Sequence, residues 1–213
     1  MNEGGGACIF NCLGDCLKMI RLLPLSGEAM PLIDMPLDQL KHYKGRNQKP
    51  KDFEPFWDDS LEEMRKVDPA VELVPEPFSV PYAECFHLYF TGVGGARVHA
   101  KFIRPRKGGK RHPAVLAFHG YTGSSGDWSD HLKFAALGFS VAALDCRGQG
   151  GLSEDVGGVE GNTHCGHIIR GLDSGPGQLL FRHIFLDTAM LARIVMEMPD
   201  VDPERVGACG GSQ

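Results

Sequence analysis

The sequence predicts an α/β protein with a mostly parallel β-sheet that is covered by helices on both faces. Three short apolar stretches, 114–118, 140–144 and 206–209, alternate with two helical stretches, 128–137 and 183–198. The apolar stretches are continuous rather than alternating with polar residues, which is typical of parallel strands buried on both sides. Strands that alternate with helices favour this arrangement over an all-α or all-β fold.

A helix and a hairpin are predicted before this alternation begins. Between residues 50 and 67, large apolar side chains recur at steps of three and four, which predicts an amphipathic helix lying on a larger body. The prolines between 75 and 81 predict an extended connector, because proline cannot pair in the middle of a sheet. Residues 86–90 and 98–104, separated by a glycine-rich turn, predict an antiparallel hairpin.

Composition argues for one globular domain and against nucleic acid or membrane as partner. The chain has 213 residues and is 42% hydrophobic, which suits a single α/β unit. Lys and Arg total 22 against 27 for Asp and Glu, and no basic tract stands out. No apolar run approaches the roughly 18 residues that a membrane span needs. The seven cysteines are an odd number, which favours free thiols in a reducing, cytoplasmic compartment.

Residues 1–29 differ from the rest, and we interpret them as an atypical, disordered leader before a domain spanning 30–213. Acidic and basic residues interrupt their apolar stretch, unlike the core of a signal peptide. Three of the cysteines are spaced along one helical face, but they lack a fourth ligand for zinc. The His-Cys-x-His at 164–167 holds its ligands too close together, so no metal site is expected there.

Three loops follow the predicted parallel strands, at 119–123, 145–151 and 210–213. Catalytic groups collect at the carboxyl ends of such strands. The last loop, Gly-Gly-Ser-Gln, matches the nucleophile elbow G-x-S-x-G up to its closing glycine. An acyl hydrolase of this kind would use Ser212 as nucleophile. The backbone N–H groups of Tyr121 and Gln213 are in the sequence positions that would stabilise the oxyanion, and together with Ser212 they form the predicted catalytic set.

Two other residues in these loops are open to a second interpretation. His119 could be a general base, but it directly ends a strand, where packing or loop hydrogen bonding is favoured. Arg147 could bind a substrate carboxylate, but the glycines around it favour a structural role. We expect its guanidinium to tie the loop to backbone carbonyls near the elbow.

Six segments in order along the chain carry a family resemblance: 30–37, 118–121, 147–150, 166–173, 182–188 and 202–213. Together they resemble the acetyl xylan esterase and cephalosporin C deacetylase family. This is carbohydrate esterase family seven, within the α/β-hydrolase superfamily.

The resemblance implies an α/β-hydrolase fold and the same nucleophile and oxyanion donors. It identifies Arg147, Gly148 and Gln149 as the family's R-G-Q motif near the elbow. It further implies removal of acetyl groups from xylo-oligosaccharides and cephalosporin C-like esters, without metal or cofactor, by a cytoplasmic homo-oligomer. The stretch 151–180 is similar to the family's insertion near the subunit contacts.

In this fold the acid and the histidine of the triad follow the serine along the chain. We therefore expect both beyond Gln213, and a sheet that is truncated after the elbow strand. Serine is a weak nucleophile without that histidine. Two alternatives stay open: an inactive fragment or non-catalytic interaction protein with the same fold, and another serine acyl hydrolase that acts on peptides or lipid esters.

Overall fold

The computed structural model describes residues 35–78, 80–106, 111–155 and 168–212. The chain divides into two units after Lys49. The described part of the first unit contains one short helix, α1 (Leu37–Leu40). The predicted leader at 1–29 lies outside the described residues.

The second unit is built on a mixed sheet of six strands in the order β1-β2-β3-β5-β4-β6. The strands are β1 (Glu72–Pro75), β2 (Ala83–Thr91), β3 (Arg97–Pro105), β4 (His112–Phe118), β5 (Ser140–Leu144) and β6 (Val201–Gly210). β4 lies between β5 and β6 and is parallel to both, as predicted. The first three strands and the β3–β5 pair are antiparallel. The parallel part of the sheet therefore covers only its second half.

The predicted hairpin is confirmed as β2 and β3, which pair from Ala83–Pro105 to Thr91–Arg97. Its turn needs glycine, because Gly94 and Gly95 have φ of 74° and 82°. The proline-rich connector before it begins at the end of a strand that was not predicted. This strand, β1, ends at Pro75 and pairs only with β2 among the described strands. That edge position agrees with the inability of proline to pair on both sides.

The predicted helices are confirmed as α2 (Phe53–Lys66), α3 (Trp128–Ala136) and α4 (Leu180–Glu197). At the start of α3 the Asp127 N–H donates to the Asp130 carboxylate at 2.9 Å, which satisfies a donor of the first turn. The chain leaves α3 through Gly138 at φ 85°. No helix in the described ranges is long and apolar enough to cross a bilayer.

The helices bury two apolar clusters against the sheet. The larger cluster joins α2 and α4 to residues such as Leu88, Phe102 and Leu144. The smaller joins α3 to Cys85, Ile103 and other residues of the strands. Because neighbouring residues of one strand, such as Phe102 and Ile103, belong to different clusters, the two clusters lie on opposite faces of the sheet. Helices on both faces were predicted and are confirmed.

Cysteine burial follows the strand pattern only in part. Cys85 and Cys146 are buried free thiols, as expected, whereas Cys209 on β6 is free but exposed. Burial raises the pKa of Cys146 to about 12, so this thiol is protonated and unreactive at neutral pH. Cys165 lies outside the described residues.

Candidate active site

Ser212 and the loop after β4 lie in direct contact. A β-carbon added to Gly120 would be 3.1 Å from the Ser212 β-carbon and 3.2 Å from the Gly211 carbonyl oxygen. A side chain at position 120 would therefore push the two loops apart by a few tenths of an ångström, so glycine favours this close approach. Ser212 itself has φ of 70°, a left-handed conformation that a non-glycine residue adopts at a cost. A strained turn that exposes the serine at the end of a strand is what a nucleophile elbow requires.

A close contact also explains why position 210, two residues before the serine, is a glycine. A β-carbon on Gly210 would lie 3.0 Å from the Phe118 carbonyl oxygen of the neighbouring β4. A side chain at the last residue of β6 would therefore crowd the backbone of β4. The close contact with β4 favours glycine at position 210, whereas a β-carbon on Gly211 would meet no atom of the described residues within 4 Å.

The backbone N–H groups of the loop after β4 differ in whether they have a hydrogen-bond acceptor. The Thr122 N–H donates to the Gln149 side-chain oxygen at 2.8 Å, and the Gly123 N–H donates to the Gly120 carbonyl at 3.0 Å. Within the described residues, no hydrogen bond uses the Tyr121 N–H. The side chain of Tyr121 is exposed, so its contribution would come from the backbone. Gln213, the second predicted donor, lies outside the described residues.

His119 organises the loops and is not free to act as a base. Its Nε2 accepts the Cys146 N–H at 3.0 Å, and its Nδ1 lies 2.7 Å from the Gly120 carbonyl oxygen. Nδ1 must therefore carry the ring proton and donate it to the carbonyl. With the Nε2 lone pair already used, the ring links the loop after β5 to the loop after β4. The expectation of loop hydrogen bonding is met.

Arg147 is structural, but its partners differ from those expected. Its buried guanidinium donates from Nε and Nη2 to the Asp187 carboxylate of α4 at 2.6 and 2.5 Å. Nη1 donates to the Val93 carbonyl at 2.9 Å. The predicted tie to carbonyls near the elbow is wrong, because the side chain points into the protein body toward α4. The contact to the oxyanion loop is made by Gln149 instead.

Backbone conformation and close contacts explain the remaining glycines of the loop after β5. Gly148 has φ of 72°, and a β-carbon on Gly150 would lie 2.7 Å from the Gly123 carbonyl oxygen. A β-carbon on Gly151, at φ 96°, would lie 2.2 Å from the Asp145 carboxyl carbon. The R-G-Q loop and the oxyanion loop therefore touch backbone to backbone.

Asp145, at the end of β5, joins both loops to the sheet. Its Oδ1 accepts the Ser125 N–H at 2.5 Å, and its Oδ2 accepts the Leu152 N–H at 2.9 Å and lies 2.7 Å from His99 Nδ1. Burial alone would raise the pKa of this carboxyl, but the hydrogen bonds from His99, Leu152 and Ser125 outweigh it and lower the pKa to about 2. Asp145 is thus an ionised anchor for two loops.

Asp145→Asn is expected to destabilise the protein by roughly 2 to 3 kcal/mol at neutral pH. An aspartate with a folded-state pKa near 2 stabilises the fold above its unfolded value of about 4. That stability is lost as pH falls from about 4 through 2. Urea unfolding between pH 7 and pH 2 should therefore show the difference between variant and parent shrinking at acid pH. An Asp59→Asn variant, at an exposed position on α2, is the control, and a difference that stays constant with pH would contradict the assignment.

Among the described residues, no three His, Cys, Asp or Glu side chains come together as a metal site. The geometry places a serine on a turn directly after a strand, beside the loop that follows the neighbouring parallel strand, at the carboxyl edge of the parallel strands. Together with helices on both faces of the sheet, this is the arrangement of an α/β-hydrolase.

The chain belongs to the acetyl xylan esterase (AXE1) family, whose model matches residues 30–213. The solved structure of acetyl xylan esterase 1 from Thermoanaerobacterium sp. JW/SL YS485 is 59% identical, with a TM-score of 0.80 over 84% of this chain and 56% of that one. The acetyl xylan esterase from Paenibacillus sp. R4 is 26% identical, with a TM-score of 0.72 over 84% of this chain and 57% of that one. The chain thus spans little more than half the length of these relatives.

Proposed function

We propose that the protein is a serine esterase that removes acetyl groups from acetylated xylo-oligosaccharides. The observation that carries this proposal is Ser212 on a left-handed turn in contact with Gly120 of the oxyanion loop. Family membership and the names of the two related structures support the acetylated sugar as substrate.

In the proposed reaction the Ser212 Oγ attacks the acetyl carbonyl carbon. Its proton passes to the triad histidine, which we place beyond Gln213 and which an aspartate would orient. The carbonyl oxygen becomes an oxyanion that accepts from the backbone N–H of Tyr121 and, in this proposal, of Gln213. Collapse releases the sugar hydroxyl, protonated by the histidine, and leaves an acetyl-serine. Water then attacks that ester and yields acetate and free Ser212.

The finer assignments follow from the family resemblance. We extend the substrates to cephalosporin C-like acetyl esters and propose that no metal or cofactor takes part. A cytoplasmic location is supported by the buried free thiols Cys85 and Cys146. Assembly as a homo-oligomer is part of the same proposal, with the insertion at 151–180 near the subunit contact.

Covalent labelling tests the proposal most directly. The protein expressed from its complete reading frame is incubated with a fluorophosphonate ester, digested, and mapped by mass spectrometry. We expect stoichiometric phosphonylation of Ser212 and a matching loss of hydrolysis of p-nitrophenyl acetate and acetylated xylobiose. Protein unfolded in urea before labelling is the control. Absence of both labelling and hydrolysis would refute the esterase and favour the non-catalytic alternative, whereas cleavage of peptides or lipid esters alone would correct the substrate class.

A further inference from the structure

Four titratable side chains form a continuous chain from the end of β1 to the end of β5. The Glu76 Oε2 lies 2.8 Å from His87 Nε2, and His87 Nδ1 lies 2.8 Å from His99 Nε2. The chain ends at the 2.7 Å contact between His99 Nδ1 and Asp145 Oδ2. Each gap is the length of a hydrogen bond. His99 is fully buried, while the side chains of His87 and Glu76 are about one-fifth exposed, at 22% and 20%.

A hydrogen bond in each of the three gaps requires one proton more than two neutral imidazoles carry. An ionised carboxylate only accepts, so His87 Nε2 and His99 Nδ1 must both donate outward. The two inward nitrogens then face each other at 2.8 Å, and a hydrogen bond between them needs a third proton. With only one proton on each ring, one of the three gaps would lack a proton. Either the two rings would face each other with their lone pairs, or a ring would face a carboxylate with its lone pair.

We infer that His87 and His99 share this third proton as an imidazole–imidazolium pair between two carboxylates, and that the pair positions Asp145. His87 and His99 are positioning residues, because they act on the active-site loops only through Asp145. The link to catalysis rests on the proposed function, whereas the shared proton does not.

Some of the charged groups around His87 and His99 favour an added proton on the pair, and others oppose it. Trp128 of α3 meets the His87 ring edge-on at 5.2 Å, and the ammonium of Lys101 on β3 lies 5.4 Å from the Trp128 ring centre. The Arg97 guanidinium lies 3.8 Å from the ring centre of Tyr89, and that ring packs against His99 at 4.9 Å. These two cations oppose an added proton, but the carboxylates lie closer and in direct hydrogen-bond contact.

The third proton belongs to the rings rather than to Glu76. A hydrogen bond from the Phe78 N–H lowers the pKa of Glu76, burial raises it, and the contact with His87 lowers it further, for a net lowering. Asp145, at the other end, is an ionised anchor as well. Both ends of the chain are therefore acceptors at neutral pH, and the donors must be the rings between them.

Loss of the proton at alkaline pH reaches the active site through Asp145. The central hydrogen bond disappears, and the lone pairs of His87 and His99 repel each other at 2.8 Å. A displaced His99 ring moves the carboxylate that holds the Ser125 and Leu152 amides. The folded protein binds one proton more than the unfolded chain in this range, so its stability falls as pH rises.

The first test measures the protonation of the four ring nitrogens directly by NMR. Histidine-selective ¹⁵N labelling of the protein from its complete reading frame, with ¹H–¹⁵N spectra across pH, reports which ring nitrogens are protonated. We expect three protons on the four nitrogens of His87 and His99 at neutral pH, with one lost at alkaline pH. Two neutral rings throughout the neutral range would overturn the inference, whether or not the protein hydrolyses esters.

The second test measures how the His87→Gln substitution changes the pH dependence of stability and of kcat. A glutamine amide can donate to His99 Nε2, so His99 keeps its bond to Asp145 without a third proton. As pH rises through the interval found by NMR, the unfolding equilibrium constant of the parent should increase by up to about tenfold more per pH unit than that of the variant. The alkaline fall in kcat for p-nitrophenyl acetate should likewise be absent in the variant.

His42→Gln, at an exposed position of the first unit, is the matched control and should keep the parent's pH dependence. Equal pH slopes for parent and His87→Gln would overturn the positioning role. If the parent binds the third proton but hydrolyses no ester, the proposed function fails while the shared proton stands, since the spectra and the unfolding slopes need no activity.

Discussion

Ser212→Ala is expected to lower kcat for p-nitrophenyl acetate by about 10⁴- to 10⁶-fold in the protein from its complete reading frame. The substitution removes the attacking oxygen and leaves the oxyanion donors in place, so only the residual catalysis of binding and the oxyanion loop remains. The backbone should not change, because alanine keeps the β-carbon of Ser212 that faces Gly120 and loses only the hydroxyl. Steady-state kinetics with matched urea unfolding curves would measure both.

Ser174→Ala is the control, since Ser174 is an exposed serine in the short 3₁₀ turn at Leu172–Ser174. It should match the parent in rate. A Ser212→Ala variant that retains more than about a tenth of the parent's kcat would place the nucleophile elsewhere and remove the basis of the proposed mechanism.

Arg147→Met is expected to lower the free energy of unfolding by about 3 to 5 kcal/mol. The substitution leaves the Asp187 carboxylate, which is 1% exposed, without its bidentate partner. Burial already raises the pKa of Asp187 to about 6, against the pull of Arg147 that lowers it. Without that pull the buried carboxylate has to take up a proton or draw in water, and urea unfolding at pH 7 would measure the cost.

Arg205→Met provides the matched comparison, because Arg205 pairs with Asp202 in a salt bridge whose arginine side chain is 55% exposed. That variant should cost less than about 1 kcal/mol. The double variant Arg147→Met/Asp187→Leu should recover part of the loss, since it removes both buried charges. If Arg147→Met and Arg205→Met cost the same, the buried pair is not what holds the R-G-Q loop to α4.

Local sequence patterns were sufficient to predict the helices and the hairpin. They were not sufficient to predict which distant strands pair. The apolar periodicity of 50–67 and the glycine turn of the hairpin each lie within a few residues, so α2 and the β2–β3 hairpin could be predicted from them. The antiparallel pairing of β3 with β5 joins residues such as Phe102 and Ala142. Nothing local to either strand specifies that partner, and so the attachment of the predicted hairpin to the parallel strands was not anticipated.

In the candidate site, too, some residues could be predicted from local sequence patterns and others could not. The elbow and the loop after β4 have sequence signatures, and the contact of Ser212 with Gly120 agrees with them. Asp145, His99 and His87 have none, since each is a single polar residue in or beside an apolar strand. Their positions carried a usable signal, because a histidine or aspartate flanked by buried residues must find a polar partner. The same holds for Asp187, which interrupts the apolar stripe of α4.

The contact between Arg147 and Asp187 also bears on the order in which the site can be assembled. The two residues are 40 positions apart in the chain, and His99 and Asp145 are 46 apart. As the chain leaves the ribosome, the guanidinium stays hydrated until α4 has emerged, folded and docked. The loop carrying the R-G-Q motif therefore lacks the carboxylate partner of its buried guanidinium until residues 180–197 have been synthesised.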